Sequence, residues 1–208
     1  MKKFLSLVSI LTLCTNYTAQ ADWTIDCQGQ NITLAPSTGT LAAERAIFIT
    51  HFSTAYKNIP LEALKVQDLT EFLNIFFQRE ENDFVNHRPD TFYVSAKDGQ
   101  GRVVGCAAFD RLPDHIYIRF SAVDPSLWQS GLEEALVFSV LNKYPDCRCL
   151  KLVIRKVNQQ GASACRKLGF KQSDYVHAGL SPELYVGYEL AFDTPFVAQT
   201  QSRYHTVA

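Results

Sequence analysis

Two hydrophobic periods alternate along the chain. From Leu41 to about Lys57 apolar residues recur at helical spacing, with Phe48, Phe52 and Tyr56 four apart on one face. Thr40 is placed to cap this helix, and Asn58 and Pro60 end it. Asp68-Leu69-Thr70-Glu71 reads as the capping start of a second helix, whose stripe is Leu69, Phe72, Leu73, Phe76 and Phe77. The period then shortens to two. Thr91 to Lys97 and Arg102 to Asp110 flank the turn Asp98-Gly99-Gln100-Gly101, a hairpin. In the strand His115 to Val123, alternation places Ile116, Ile118, Phe120 and Ala122 on one face and His115, Tyr117, Arg119 and Ser121 on the other. Beyond a turn at Asp124-Pro125 the pattern predicts a helix from about Leu132 to Asn142 and a strand from Cys149 to Val157. A short helix from Gln160 to Leu168 and a terminal hairpin, roughly Asp174 to His177 with Leu184 to Phe192, complete it. A short strand, Asn31 to Ala35, precedes the first helix.

This order predicts one α+β domain in α/β/α layers, with a mixed, mostly antiparallel sheet. The helix between Val123 and Cys149 requires a locally parallel pair, and the hairpins require antiparallel ones.

Composition changes one part of this picture. The chain has 208 residues, 20 Lys plus Arg against 21 Asp plus Glu, and a net charge of −1. Such a balance excludes a general nucleic-acid coat or a polybasic membrane binder. Lys2 and Lys3 precede the apolar run Phe4 to Cys14, and Thr15 to Ala21 closes with Ala19-Gln20-Ala21. That is the layout of a cleaved secretory signal, too short to span a bilayer. The expected organisation is a signal peptide at 1–21, a domain at 22–193 and a loose tail at 194–208, in a periplasmic or secreted protein with no stable membrane anchor after cleavage. Removing 21 residues, Lys2 and Lys3 among them, leaves 187 residues of net charge −3. Five cysteines remain, Cys27, Cys106, Cys147, Cys149 and Cys165. An odd number leaves at least one thiol unpaired in a monomer; a bridge from Cys27 to Cys147 or Cys149 is one expectation, and ordinary core roles for Cys106 and Cys165 another. Their spacing is not that of a zinc site, and no metal is expected. Gly-x-Ser-x-Gly, HExxH and Walker patterns are absent from the sequence.

The element order and two stretches resemble the GNAT superfamily of acyl-CoA-dependent N-acetyltransferases, over about Ile32 to Phe192. The first is Asn158 to Phe170, where Asn158, Gly161, Cys165, Gly169 and Phe170 stand at the places of the family's late motif. The second is Val123 to Leu136, which resembles the strand end, loop and helix start that hold the CoA pyrophosphate in the family. Small residues and helix N–H groups do that work. Here the family's Gln/Arg-x-x-Gly-x-Gly/Ala falls on Trp128-Gln129-Ser130-Gly131-Leu132-Glu133, and only Gly131 matches. Glu133 would oppose a diphosphate by up to about 3 kcal/mol at ~6 Å and an effective dielectric of ~20.

The resemblance implies a V-shaped splay between the two central strands and acetyl-CoA as co-substrate. It also implies an amine acceptor, on a small molecule or a protein. Its cofactor-binding positions are Val123, Gln129, Ser130, Gly131, Leu132, Glu133 and Asn158. In the family the late-motif Tyr is often the acid for the leaving thiolate; Cys165 stands there. For the base, the polar face of the His115 strand offers His115 and Tyr117, and Asp110 ends the preceding strand. Tyr175 and His177 on the terminal hairpin are weaker candidates. The competing reading is a GNAT-fold binding or structural module that no longer takes CoA, in which Asn158 only caps a helix.

Overall fold

In the computed structural model, residues 22–192 are described; the signal segment and tail expected at 1–21 and 194–208 lie outside them. The elements are β1 (Trp23–Cys27), β2 (Gln30–Pro36), α1 (Ala42–Tyr56), α2 (Leu61–Leu64), α3 (Leu69–Val85), β3 (Thr91–Lys97), β4 (Val103–Arg111), β5 (Ile116–Val123), α4 (Leu132–Lys143), β6 (Cys149–Arg155), α5 (Gln159–Lys167), β7 (Lys171–Ser173) and β8 (Tyr185–Ala191). They form one α+β domain around an eight-stranded sheet of order β1-β2-β3-β4-β5-β6-β8-β7. Only β5 and β6 pair in parallel; the other pairs are antiparallel.

Local signals account for most boundaries. Asp68 Oδ1 accepts the Glu71 N–H at 2.7 Å and starts α3. The residue before α1 is Leu41, not Thr40, and it supplies no side-chain cap. The first-turn Glu44 of α1 is buried instead and accepts a hydrogen bond from Ser95 Oγ on β3.

Two apolar layers fill the faces. α4 and α5 cover one, with Leu132, Leu136, Val140, Ala162 and Cys165 packed on Ile116, Ile118 and Leu150. α1 and α3 cover the other, with Phe48, Leu73 and Phe77 on Tyr93, Ala108, Phe120 and Ala122.

The β5 alternation is broken. Register with β4 passes from Ala108↔Phe120 to Phe109↔Ile118, so Arg119 is the extra residue of a β-bulge. Ile116 and Ile118 therefore enter one core while Phe120 and Ala122 enter the other. The single face expected for these four residues does not exist.

The same strand splays from β6. Pairing holds at Ile116↔Leu150 and Tyr117↔Lys151 only, so the remainder of β5 and β6 diverges into a V with its apex at Tyr117 and Lys151. The terminal hairpin also differs from expectation. Its first strand is Lys171–Ser173, and Tyr175 and His177 lie in the connection to β8. β1 was not anticipated; it pairs with β2 from Trp23↔Leu34 to Cys27↔Gln30.

Candidate active site

The open arm of the V is built from the last residues of β5. Val123 is opposite Gly105 of β4, and Asp124 N–H donates to Val104 O at 2.9 Å on that side. In an antiparallel pair such bonding alternates, which turns the Val123 N–H and C=O away from β4 and into the gap. His51 of α1 meets them there. Its Nδ1 lies 3.1 Å from Val123 N, 3.0 Å from Val123 O and 3.3 Å from the indole Nε1 of Trp128. Burial lowers the pKa of this ring, which favours the neutral form. A bare Nδ1 accepts from Val123 N–H and Trp128 Nε1–H, whereas a protonated Nδ1 donates to Val123 O, so either neutral tautomer holds the ring on Val123. Nearby, Ser121 in the splayed half of β5 has a buried Oγ with no hydrogen-bond partner among the described residues.

The loop after β5 runs over the mouth of the V. Asp124 caps a short turn at Pro125–Leu127. Gln129 is exposed at φ +67 and Gly131 exposed at φ +90, and Ser130 Oγ accepts the Leu132 N–H at 3.3 Å. The side chain of Leu132 is fully buried in the core. Glu133 is half-buried, and burial raises its pKa. Its carboxylate acts on Cys165 across the space between α4 and α5.

The other arm carries Asn158. Its Oδ1 accepts the Gly161 N–H at 2.8 Å and caps α5, while Nδ2 lies 3.5 Å from Tyr56 Oη of α1. A Cβ at position 161 would fall 2.8 Å from Asn158 Nδ2, so the glycine of the motif makes room for the cap. Arg155, at the end of β6, donates to the Leu64 carbonyl of α2 and lies between the Phe72 and Tyr185 rings. Thus α1 is tied to both arms of the V and α2 to the β6 arm.

A polar chain stands at the apex. His115 Nδ1 is 2.7 Å from Asp114 Oδ1, His115 Nε2 is 3.2 Å from Tyr175 Oη, and Tyr175 Oη is 3.2 Å from His177 Nδ1. The His177 ring lies flat on Tyr117, centroids 3.9 Å apart and planes 4° apart. Burial lowers His177 and pushes the Tyr175 phenol up to about 12, with Asp114 and Asp110 adding to the latter. Burial likewise raises Tyr117. Gly187 of β8 seats this loop, since a Cβ there would stand 2.0 Å from the Tyr175 carbonyl oxygen.

Asp110 is buried next to this chain but committed elsewhere. It accepts from Thr91 Oγ1 at 2.8 Å and from Arg119 Nη1 at 3.3 Å. The bulge aims Arg119 at α3, where Nη2 lies 2.8 Å from Glu80 Oε1 and 2.7 Å from Asp83 Oδ2.

The structure therefore brings His115, Tyr117 and Asp110 together and adds Tyr175 and His177 to them. It does not bring Cys165, which is buried under α5 with its thiol pushed up to about 12 by burial and by Glu133. The five cysteines of the described residues are free thiols. The expected bridge from Cys27 to Cys147 or Cys149 is therefore not formed. Among the described residues no group of three or more His, Cys, Asp or Glu is placed to hold a metal ion. His51 was missed in the sequence because it lies within the apolar pattern of α1.

A sheet splayed at one parallel pair, with a helix start facing the open end, is the architecture of an acyl-CoA-dependent transferase. The chain matches the acetyltransferase (GNAT) family over residues 55–170 and belongs to it. No curated protein matches. Among solved structures, it resembles the PaiA N-acetyltransferase of Thermoplasma acidophilum in complex with coenzyme A, at 14% identity and TM-score 0.61, covering 76% of this chain and 99% of that one. It resembles PH1933 of Pyrococcus horikoshii OT3 at 13% identity and TM-score 0.56, covering 78% and 99%. The ribosomal-protein-S18-alanine N-acetyltransferase of Escherichia coli is similar at 16% identity and TM-score 0.50, covering 78% and 95%.

Proposed function

We propose that the protein is an N-acetyltransferase that moves an acetyl group from acetyl-CoA to an amine. The observation that carries this reading is the V between β5 and β6, with Val123 backbone groups along one arm and the start of α4 at its mouth. The orphaned Ser121 hydroxyl fits a polar ligand in that gap. The residues that would hold acetyl-CoA are Val123, Ser121, Ser130, Gly131, the first-turn N–H groups of α4 and Asn158. When bound, acetyl-CoA supplies an activated thioester. The histidine and tyrosine cluster at the apex takes the proton that the acceptor amine gives up.

Titrating the purified protein with acetyl-CoA by calorimetry tests this. Saturable binding is expected; a folded protein that shows none at millimolar concentration is not an acetyltransferase. The second reading, a non-catalytic GNAT-fold module, is favoured by Glu133 beside the mouth and by His51 on Val123. The same titration separates the two.

We further propose export through residues 1–21. Acetyl transfer then requires delivery to a compartment that contains CoA. A mass spectrum of the mature protein should begin at Asp22, and one that retains Met1 to Ala21 refutes export with cleavage.

A further inference from the structure

We propose that His177 is the catalytic base and that Tyr175, His115 and Asp114 form a proton relay behind it. This deepens the acetyltransferase reading and rests on it. The direction of the chain follows from hydrogen-bond chemistry. Ionised Asp114 can only accept, so the nitrogen 2.7 Å from it, His115 Nδ1, carries a proton. In a neutral imidazole the other nitrogen then accepts, so Tyr175 donates its hydroxyl proton to His115 Nε2 at 3.2 Å. The Tyr175 oxygen is left to accept, and the nitrogen facing it at 3.2 Å, His177 Nδ1, carries a proton. His177 Nε2 is thereby a lone-pair acceptor, and it has no hydrogen-bond partner among the described residues. Each bond depends on the one before it, and together they prepare a base.

The place is right as well as the protonation. His177 lies on Tyr117, and Tyr117 pairs with Lys151 at the last rung before β5 and β6 part. In the proton transfer, an alkylammonium N–H gives its proton to His177 Nε2. His177 Nδ1 passes its own proton to Tyr175 Oη as Tyr175 passes its proton to His115 Nε2. The net result is a neutral His177 with the proton on Nε2, a neutral Tyr175 and a His115 imidazolium against the Asp114 carboxylate. The Asp114 side chain is 73% exposed, so water can take the proton there. Asp114, whose pKa the His115 bond lowers, is ionised in the resting chain, takes the Nδ1 proton of the His115 imidazolium, and is ionised again once water has removed it.

The test uses nitrogen-detected histidine spectra of the full protein and of Tyr175→Phe, which keeps the ring but breaks the relay. In the wild type, His115 and His177 are expected as Nδ1–H tautomers, and titrating one is expected to move the resonances of the other. The charged and titratable groups that face His177 are Asp110 of β4, Tyr117 and Arg119 of β5, Arg88 after α3, and His115 and Tyr175 beside it. In Tyr175→Phe the coupling is lost and His177 no longer holds one tautomer. An Nε2–H tautomer for His177, or coupling that survives Tyr175→Phe, overturns the relay. Acetyl-CoA binding is measured on the same samples. Coupled histidines without acetyl-CoA binding would defeat the acetyltransferase reading, and with it the base. Uncoupled histidines with binding would defeat the relay alone. With butylamine as acceptor, His177→Gln is expected to lower kcat by about 10²–10⁴-fold with acetyl-CoA affinity unchanged; an unchanged kcat overturns the assignment of His177.

Discussion

A methyl group at Gly187 has nowhere to go. It would stand 2.0 Å from the Tyr175 carbonyl oxygen, 2.9 Å from the Tyr175 carbonyl carbon and 3.1 Å from the Ser173 oxygen. All three are backbone atoms, so no side-chain rotation relieves the clash. Gly187→Ala must therefore push the β7–β8 connection off the sheet and carry Tyr175 away from both histidines. Overpacking of this kind costs about 1–3 kcal/mol, and losing the two Tyr175 hydrogen bonds costs about 0.5–1.5 kcal/mol each. At the low end, a loss of ~2 kcal/mol lowers Tm by roughly 4–8 °C in a domain of this size. Thermal unfolding measures the cost, and histidine spectra report whether the His115–Tyr175–His177 chain has parted. A Tm within about 1 °C of wild type, with both tautomers retained, would refute the seating role given to Gly187.

Other expectations are equally direct. Arg119→Met leaves buried Glu80 without its cation and Asp110 with only Arg88, at 4.0 Å, and should destabilise by about 3–5 kcal/mol in urea unfolding; a loss below about 1 kcal/mol contradicts the network. His51 has its pKa lowered by burial, so the unfolded chain binds more protons between that value and ~6.5. Its contribution is full above about pH 6.5 and declines as pH falls below it. His51→Gln should flatten that decline, and parallel urea curves for the two proteins at pH 7 and 5 would show that the ring does not titrate this way. Glu133→Gln should tighten CoA binding by about tenfold at low salt and by less at high salt. Calorimetry showing equal or weaker affinity removes the charge conflict at the mouth.

Most of the framework was legible in the sequence. The capping start at Asp68 and the helix of α4 stand where local chemistry put them, because each depends on near neighbours. The Asn158-to-Phe170 stretch was equally readable, since Asn158 and Gly161 fit one another within a single turn. The bulge at Arg119 was not legible. His115 to Val123 alternates without a fault, and the extra residue is defined only by register against β4. The apex was half legible. His115 and Tyr117 stood out on a polar strand face, but Tyr175 and His177 reach them through a non-repetitive loop that Gly187 admits, which no periodicity encodes. Cys165 lies in the apolar core, the ordinary role that its place in a helix allowed beside the one its motif position implied.

The His51 contact has a consequence in time rather than in energy. Val123 already pairs with an imidazole, so a ligand that bonds to the same backbone groups must trade places with the ring. Trp128 touches that ring, with centroids 5.5 Å apart, and one of the chain's two tryptophans thereby becomes an optical reporter of the trade. Association followed by its fluorescence should accelerate with acetyl-CoA concentration only until ring departure becomes the slow event, and then level off. In His51→Ala the ceiling should vanish and the rate should rise linearly with concentration.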